Sequence, residues 1–166
     1  MALTYLKRAL KTGEQSLSDV RELVQEILTD IENGGDQKAL DYARKFDNYD
    51  GKIILTAEDI DRASEKIPKR IKDDIQFAYE NVKRFAEAQK KTLHDFDIEV
   101  VPEFKTGQKY IPCNSVGCYI PGGRYSHVAS AIMTVTTAKV AGCNHISACS
   151  PPRPGIGINP AIIYTA

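Results

Sequence analysis

The segment YIPGGRYSH, from Tyr119 to His127, concentrates side chains that could bind a ligand. Gly122 and Gly123 allow backbone conformations and a close approach that a Cβ atom would prevent. A helix that begins directly afterwards would offer free N–H groups to an anion. Pro121 followed by two glycines is also ordinary turn chemistry, so the segment predicts either a simple connection or a loop that holds a phosphate or a cofactor.

Two side chains of this segment are suited to a substrate. The guanidinium of Arg124 could grip a carboxylate, sulfonate or phosphate through two parallel hydrogen bonds. The neutral imidazole of His127 could donate a hydrogen bond to the same ligand. By contrast, we expect His145 to be structural at the start of a strand and His94 to face solvent. Arg124 could equally be a solvated loop residue.

A second loop, PPRPGIGINP from Pro151 to Pro160, begins like a dinucleotide-binding fingerprint. The match fails because Pro160 replaces the third glycine and no acidic residue follows to bind a ribose. Asn159 as the N-cap and Pro160 in the first helical position explain the end of this loop without a ligand.

Neither a metal site nor a set of catalytic groups can be assembled from the last third of the chain. A catalytic zinc ion usually needs three protein ligands. After Glu103 the sequence has no carboxylate, and only His127 and His145 offer imidazoles. If the chain belongs to an enzyme, we therefore expect most of its chemistry to lie elsewhere.

The four cysteines contain no CxxC pair, which argues against a zinc knuckle or a redox motif. We expect each of them to be a small buried residue rather than part of a disulfide. The alternative is a catalytic thiolate that acts as a nucleophile, and its candidates are Cys118 and Cys149.

The first half of the sequence predicts helices. Apolar residues spaced three and four apart follow Ser16 or Ser18, and Gly34-Gly35 should stop that helix. Further helices are expected at 36–46, from Thr56 to near Pro68 and from Lys69 to about Leu93. A short strand is expected at Lys52–Leu55, and a hairpin from Phe96 to Tyr110.

The last third predicts a strand at 115–120, the glycine loop, a helix at 127–141 ending at Gly142, and a strand at 145–149. Such a βαβ unit has parallel strands, and ligands bind at their carboxyl ends, where Pro121 to His127 falls. The predicted fold class is α/β, with a helical region at 1–110 followed by an incomplete Rossmann-like domain at 111–166.

Composition restricts the partners. Hydrophobic residues make up 42% and charged residues 27% of the chain, as in a soluble globular protein. Residues 106–166 carry a charge of +4 and residues 1–105 a charge of −4, but four dispersed cations do not form a nucleic-acid surface. With no membrane span and no apolar leader, we expect a cytoplasmic protein.

The stretch VGCYIPGGRYSHVASAIMTVTTAKVAGC, from Val116 to Cys143, resembles the signature region of the histidinol dehydrogenase family. GQKYIP before it and SPPRPGIGINPAII after it are similar to the same family in order and spacing. The resemblance covers essentially the whole chain, and family chains are more than twice this length. The sequence is therefore expected to be an N-terminal fragment.

The resemblance implies NAD-dependent, zinc-assisted oxidation of a primary alcohol through an aldehyde to a carboxylate. It also implies a homodimer with incomplete Rossmann-like domains. The tyrosine of the Tyr-x-Pro-Gly-Gly motif contacts NAD in the family, which maps onto Tyr119, with Pro121, Gly122 and Gly123 beside it. The zinc ligands and the catalytic bases would lie outside these residues.

The segment Arg124 to His127 departs from the biosynthetic enzymes, which usually have a small residue after the two glycines. It is similar to family members that oxidise 2,3-dihydroxypropane-1-sulfonate, and an arginine suits this anionic substrate. L-histidinol is the alternative substrate. A third interpretation is a binding or dimerisation module without activity.

Overall fold

A computed structural model describes residues 17–122, 125–153, 155 and 157–166. In these ranges the chain forms, in order, α1 (Leu17–Asp47), α2 (Ala57–Glu65), α3 (Lys69–Lys90), β1 (Phe96–Val101), β2 (Phe104–Gln108), β3 (Ser115–Tyr119), α4 (Val128–Ala141), β4 (His145–Cys149) and α5 (Pro160–Thr165). Helices therefore precede a strand-helix-strand unit, which confirms the predicted α/β class.

Helix α1 is two helical segments joined at Gly35, whose φ of 59° and ψ of −149° are not helical. The predicted break at the two glycines is thus confirmed, because glycine adopts a positive φ without steric cost. Phe46, near the end of α1, has 59% of its surface exposed. Within the described part of the chain, no other element makes extensive contact with α1 and covers its apolar stripe.

The start of α2 is fixed by a capping box. The Thr56 hydroxyl accepts the Asp59 N–H, and the Asp59 carboxylate accepts the Thr56 N–H at 3.0 Å. The strand predicted at Lys52–Leu55 is wrong, because this segment consists of bends and extended residues without a ladder partner. The Lys52 carbonyl instead accepts the hydroxyl of Tyr49 at 3.0 Å.

The predicted hairpin is confirmed as an antiparallel pair of β1 and β2, with an irregularity between Glu99 and Val101. Its base is tied by the Asp95 carboxylate, which accepts the N–H of Tyr110 at 2.9 Å. The hairpin is a separate two-stranded sheet and does not join the strands that follow.

Strands β3 and β4 pair in parallel, in the register Ser115 with His145 through Tyr119 with Cys149. Helix α4 connects them and ends at Gly142, whose φ of 99° is the left-handed conformation expected of a C-terminal glycine. The buried core combines Ile120, Ala131 of α4 and Ile162 of α5. This core holds the carboxyl end of the sheet against two helix termini.

The helical region and the βαβ unit pack together through two contacts, α3 against α4 and α2 against α5. Ile75 and Ala86 of α3 are buried, whereas Phe85 of the same helix is 67% exposed. The boundary near residue 110 stays a prediction. None of the helices in the described ranges is long and apolar enough to cross a membrane.

Candidate functional site

The candidate site lies at the carboxyl end of β3 and β4. Ile120 continues the ladder, because its N–H donates to the Cys149 carbonyl at 2.8 Å. The chain then leaves the sheet through Pro121 and Gly122 and enters α4 after His127. The sheet and the start of α4 therefore frame one end of the unit, as predicted for a ligand site in this topology.

Tyr119 presents its side chain on the open face of the sheet, with 62% of its surface exposed. Its neighbours Cys118 and Ile120 are 5% and 1% exposed, since successive side chains of a strand point to opposite faces. Tyr119 is therefore available to a ligand at this edge, in agreement with its predicted role, which stays a prediction.

Gly122 is buried where the loops after β3 and β4 meet. A Cβ atom at this position would collide with the Ser150 hydroxyl oxygen and lie 3.2 Å from the Pro151 carbonyl oxygen. The Ser150 hydroxyl is buried and has no hydrogen-bond partner among the described residues. A side chain at position 122 would therefore force Ser150 to move and would crowd the Pro151 carbonyl. Pro121, the preceding residue, is half-buried.

His127 is the N-cap residue of α4, and its exposed side chain makes no capping hydrogen bond there. Its N–H donates to the Pro121 carbonyl at 3.3 Å, which joins the two ends of the segment 121–127. The exposed imidazole therefore belongs to the residue at which the loop ends and α4 begins. Gly123 and Arg124, which we predicted to bind cofactor and substrate, lie outside the described residues.

Arg153 is a site residue that the sequence reasoning missed. It was counted only as one of four dispersed cations, but its guanidinium donates to the Gly122 carbonyl at 3.1 Å and to the Ser126 hydroxyl at 3.2 Å. The sequence carries only the general signal that no carboxylate follows Glu103, and this signal does not identify the partners of Arg153. In a segment with no carboxylate, a half-buried arginine must find neutral oxygens, and carbonyls of a nearby glycine loop provide them.

The four cysteines are free, but the prediction that all are buried is wrong. Only Cys118 is buried, Cys143 is intermediate, and Cys113 and Cys149 are exposed. Cys149 is the register partner of Tyr119 and lies on the same open face of the sheet. Of the two thiols considered as nucleophiles, Cys149 is therefore the accessible one.

The other histidines are placed as follows. His94 is exposed, as predicted, and His145 is exposed at the start of β4, where Nε2 lies 3.1 Å from the hydroxyl of Ser147. His145 and His127 are at opposite ends of the unit. In the part of the chain that the structure describes, no group of three histidine, cysteine or acidic side chains could hold a metal ion.

The sequence is similar to those of known proteins. The chain is 63% identical over 166 residues to the sulfopropanediol 3-dehydrogenase of Ruegeria pomeroyi, covering 100% of this chain and 38% of that protein. It is 49% identical over 167 aligned positions to a histidinol dehydrogenase homolog of Pelagibacter ubique, again over 100% of this chain and 39% of the relative.

A solved structure shows the same fold. The crystal structure of histidinol dehydrogenase from Elizabethkingia anophelis matches 92% of this chain and 35% of its own, with a TM-score of 0.79 and 30% identity. The chain thus spans less than two-fifths of the length of each of these three relatives. The model of the family described as histidinol dehydrogenase matches residues 10–166, and the chain therefore belongs to the histidinol dehydrogenase family.

Proposed function

We propose that the chain is the N-terminal part of an NAD-dependent alcohol dehydrogenase that oxidises 2,3-dihydroxypropane-1-sulfonate through an aldehyde to a carboxylate. The observation that carries this proposal is the 63% identity, over the whole chain, to a protein named sulfopropanediol 3-dehydrogenase. The full-length enzyme is, in this proposal, a chain of its relatives' length that contains these residues.

The carboxyl end of β3 fits one side of a dinucleotide site. Tyr119 offers an exposed aromatic ring and hydroxyl, and the absence of a side chain at Gly122 lets the loop stay close to the sheet. When bound, NAD supplies the hydride acceptor. The role of this chain is then to orient the cofactor and to hold His127 at the end of the loop, where α4 begins.

Charge supports an anionic substrate. The chain from residue 104 onward has no carboxylate that would repel a sulfonate. His127 is exposed beside the loop and can donate a hydrogen bond, and Arg124 supplies a fixed positive charge three positions before it in the chain. We assign these two residues to the sulfonate end of the substrate.

The described residues do not fit a zinc site, since they contain no suitable group of three ligands. We propose that the zinc ligands of the full-length enzyme, and the bases that accept the alcohol proton, lie outside these residues. We also propose a homodimer for the full-length enzyme, consistent with the apolar stripe of α1, in which Val20, Leu23, Val24 and Leu28 are about half exposed.

The decisive experiment compares turnover of the full-length enzyme with 2,3-dihydroxypropane-1-sulfonate and with L-histidinol, each with saturating NAD. We expect a much higher kcat/KM with the sulfonate. Equal or better turnover of L-histidinol would overturn the substrate assignment and favour the biosynthetic reaction. No NAD reduction with either alcohol would favour the interpretation as a binding or dimerisation module.

A variant pair sharpens the assignment. Arg124→Gln removes the proposed sulfonate contact, so we expect KM for the sulfonate to rise roughly tenfold while KM for NAD stays within about twofold. Arg70→Gln, on the exposed surface of α3, is the matched control and should change neither constant. An unchanged KM for the sulfonate in the Arg124 variant would contradict this role.

A further inference from the structure

Two sets of hydrogen bonds join the two ends of the loop between β3 and α4. In the first, the His127 N–H donates to the Pro121 carbonyl at 3.3 Å. In the second, the Arg153 guanidinium donates to the Gly122 carbonyl, at 3.1 Å from Nε, and to the Ser126 hydroxyl, at 3.2 Å from Nη2. One side chain from a different loop thus holds both sides of this loop together.

Arg153 is itself held by a tight turn. Its N–H donates to the Gly157 carbonyl and its carbonyl accepts the Gly157 N–H, both at 2.9 Å. Gly155 and Gly157 have φ values of 71° and 75°, which a residue with a Cβ atom adopts only with strain. The Gly-x-Gly pattern that resembled a dinucleotide fingerprint therefore serves to build the turn that presents Arg153.

The chemistry of this bridge suits a positioning role. A guanidinium carries its N–H donors in a rigid plane, so the spacing of its two acceptors is fixed when both are engaged. A lysine ammonium in the same place is a point donor on a flexible stem and cannot impose that spacing. The bridge is half-buried, which protects it in part from competition by water.

We propose that Arg153 is a positioning residue that sets the width of the cofactor loop by bridging Gly122 and Ser126. The consequence for cofactor affinity rests on the proposed function, because it requires NAD to bind at this loop. The bridge itself does not depend on that proposal. Ser126 is the residue of the Arg-Tyr-Ser-His segment that binds the loop 151–160, through its bond with Arg153.

The test uses four single variants of the full-length enzyme, Arg153→Ala, Arg153→Lys, Ser126→Ala and Gly157→Val, and the double variant that combines Arg153→Ala with Ser126→Ala. For each variant, steady-state kinetics give kcat and the KM for NAD. Hydrogen exchange is measured for the backbone amides of peptides that span 121–127. Arg70→Ala is the matched control, an exposed arginine in the first turn of α3. Ser126→Ala is the mildest change and reports on the bridge if a harsher variant fails to fold.

We expect Arg153→Ala to raise the KM for NAD roughly tenfold, because the loop loses both bonds of the bridge, with kcat within about threefold of wild type. Arg153→Lys should restore only part of this affinity. Gly157→Val should reproduce the Arg153→Ala pattern, because it strains the turn that carries the guanidinium. Amide exchange in 121–127 should accelerate in every one of these variants and not in the control.

The outcomes separate the two proposals. Wild-type exchange at 121–127 in Arg153→Ala overturns the bridge, whatever the kinetics show. Accelerated exchange with an unchanged KM for NAD overturns the link to the cofactor. A wild-type enzyme that reduces no NAD overturns the proposed function, and the exchange data still decide whether Arg153 holds the loop. Ser126→Ala should add nothing to Arg153→Ala, and additive effects would contradict a shared bridge.

Discussion

The ammonium of Lys90 donates a 2.8 Å hydrogen bond to the carbonyl oxygen of Val140, 50 residues further along the chain. This bond joins the end of α3 to the last turn of α4, where helix carbonyls have no partner within the helix. A cation at that end also interacts favourably with the helix dipole. Lys90 therefore fastens the helical region to the βαβ unit.

We expect Lys90→Met to lower the free energy of unfolding by about 1 kcal/mol, because the bond is exposed and water replaces part of it. Methionine keeps the length of the apolar stem, so packing changes little. Urea denaturation of the 166-residue chain measures the change. Lys91→Met, at the neighbouring exposed position, is the control, and an equal loss in both variants would refute the specific bond.

Two glycines near the site offer a matched test of the loop packing. Gly122→Ala places a methyl group against Ser150 and Pro151, whereas a Cβ at Gly117 meets no atom within 4 Å. We expect Gly122→Ala to cost about 1–3 kcal/mol, in the range of overpacked sites, and Gly117→Ala to cost little. Thermal unfolding followed by circular dichroism gives both values.

The nearest atom to the added methyl group belongs to the Ser150 side chain, and the next to the Pro151 backbone. Combining Gly122→Ala with Ser150→Ala should therefore restore part of the lost stability, but not all of it. Full recovery would show that the backbone contact does not matter. No recovery would mean that the loss arises from the backbone conformation at 122 rather than from contact with Ser150.

Helix ends could be predicted from the sequence, because their signals lie in a few neighbouring residues. The capping box at Thr56, the left-handed Gly142 and the Asn159-Pro160 start of α5 each appear where the residue types predict them. The strand predicted at Lys52–Leu55 is absent because a strand requires a neighbour, and a short apolar run carries no information on whether one is present. Instead, a tyrosine hydroxyl takes the Lys52 carbonyl.

The sequence predicted the position of the candidate site but not the hydrogen bonds from Arg153 that hold its loop. The βαβ pattern placed Tyr119, Gly122 and His127 at the carboxyl end of the strands, where the structure has them. The bridge from Arg153 could not be predicted, because it spans 31 residues and ends on a carbonyl, which every residue possesses. Burial of Cys149 was also predicted wrongly, since strand composition does not reveal which face of a sheet stays uncovered.

The capping box predicts a specific dependence of stability on pH. Hydrogen bonds from the Thr56 backbone, then from the Lys52 ammonium and the Thr56 hydroxyl, hold the pKa of Asp59 far below its ordinary value of 3.8. A carboxyl group with a lowered pKa stabilises the fold above its unfolded pKa and loses this effect as the pH falls toward the folded value.

We therefore expect the stability difference between wild type and Asp59→Asn to be constant above about pH 5 and to shrink steadily from about pH 4 downward. Thermal unfolding of the 166-residue chain at closely spaced pH values measures it. Asp61→Asn, an exposed carboxylate of the same helix, controls for the loss of one negative charge. A difference that stays constant down to pH 2 would contradict the ionised cap.

The last prediction concerns the two thiols considered as nucleophiles. Cys149 is exposed beside Tyr119, whereas Cys118 is buried on the opposite face of β3. Iodoacetamide should therefore modify Cys149 in the native 166-residue chain and Cys118 only after unfolding, as followed by peptide mass spectrometry. Because the proposed hydride transfers need no thiol, Cys149→Ala in the full-length enzyme should retain aldehyde oxidation. Its selective loss, with alcohol oxidation intact, would instead indicate a thiohemiacetal intermediate on Cys149.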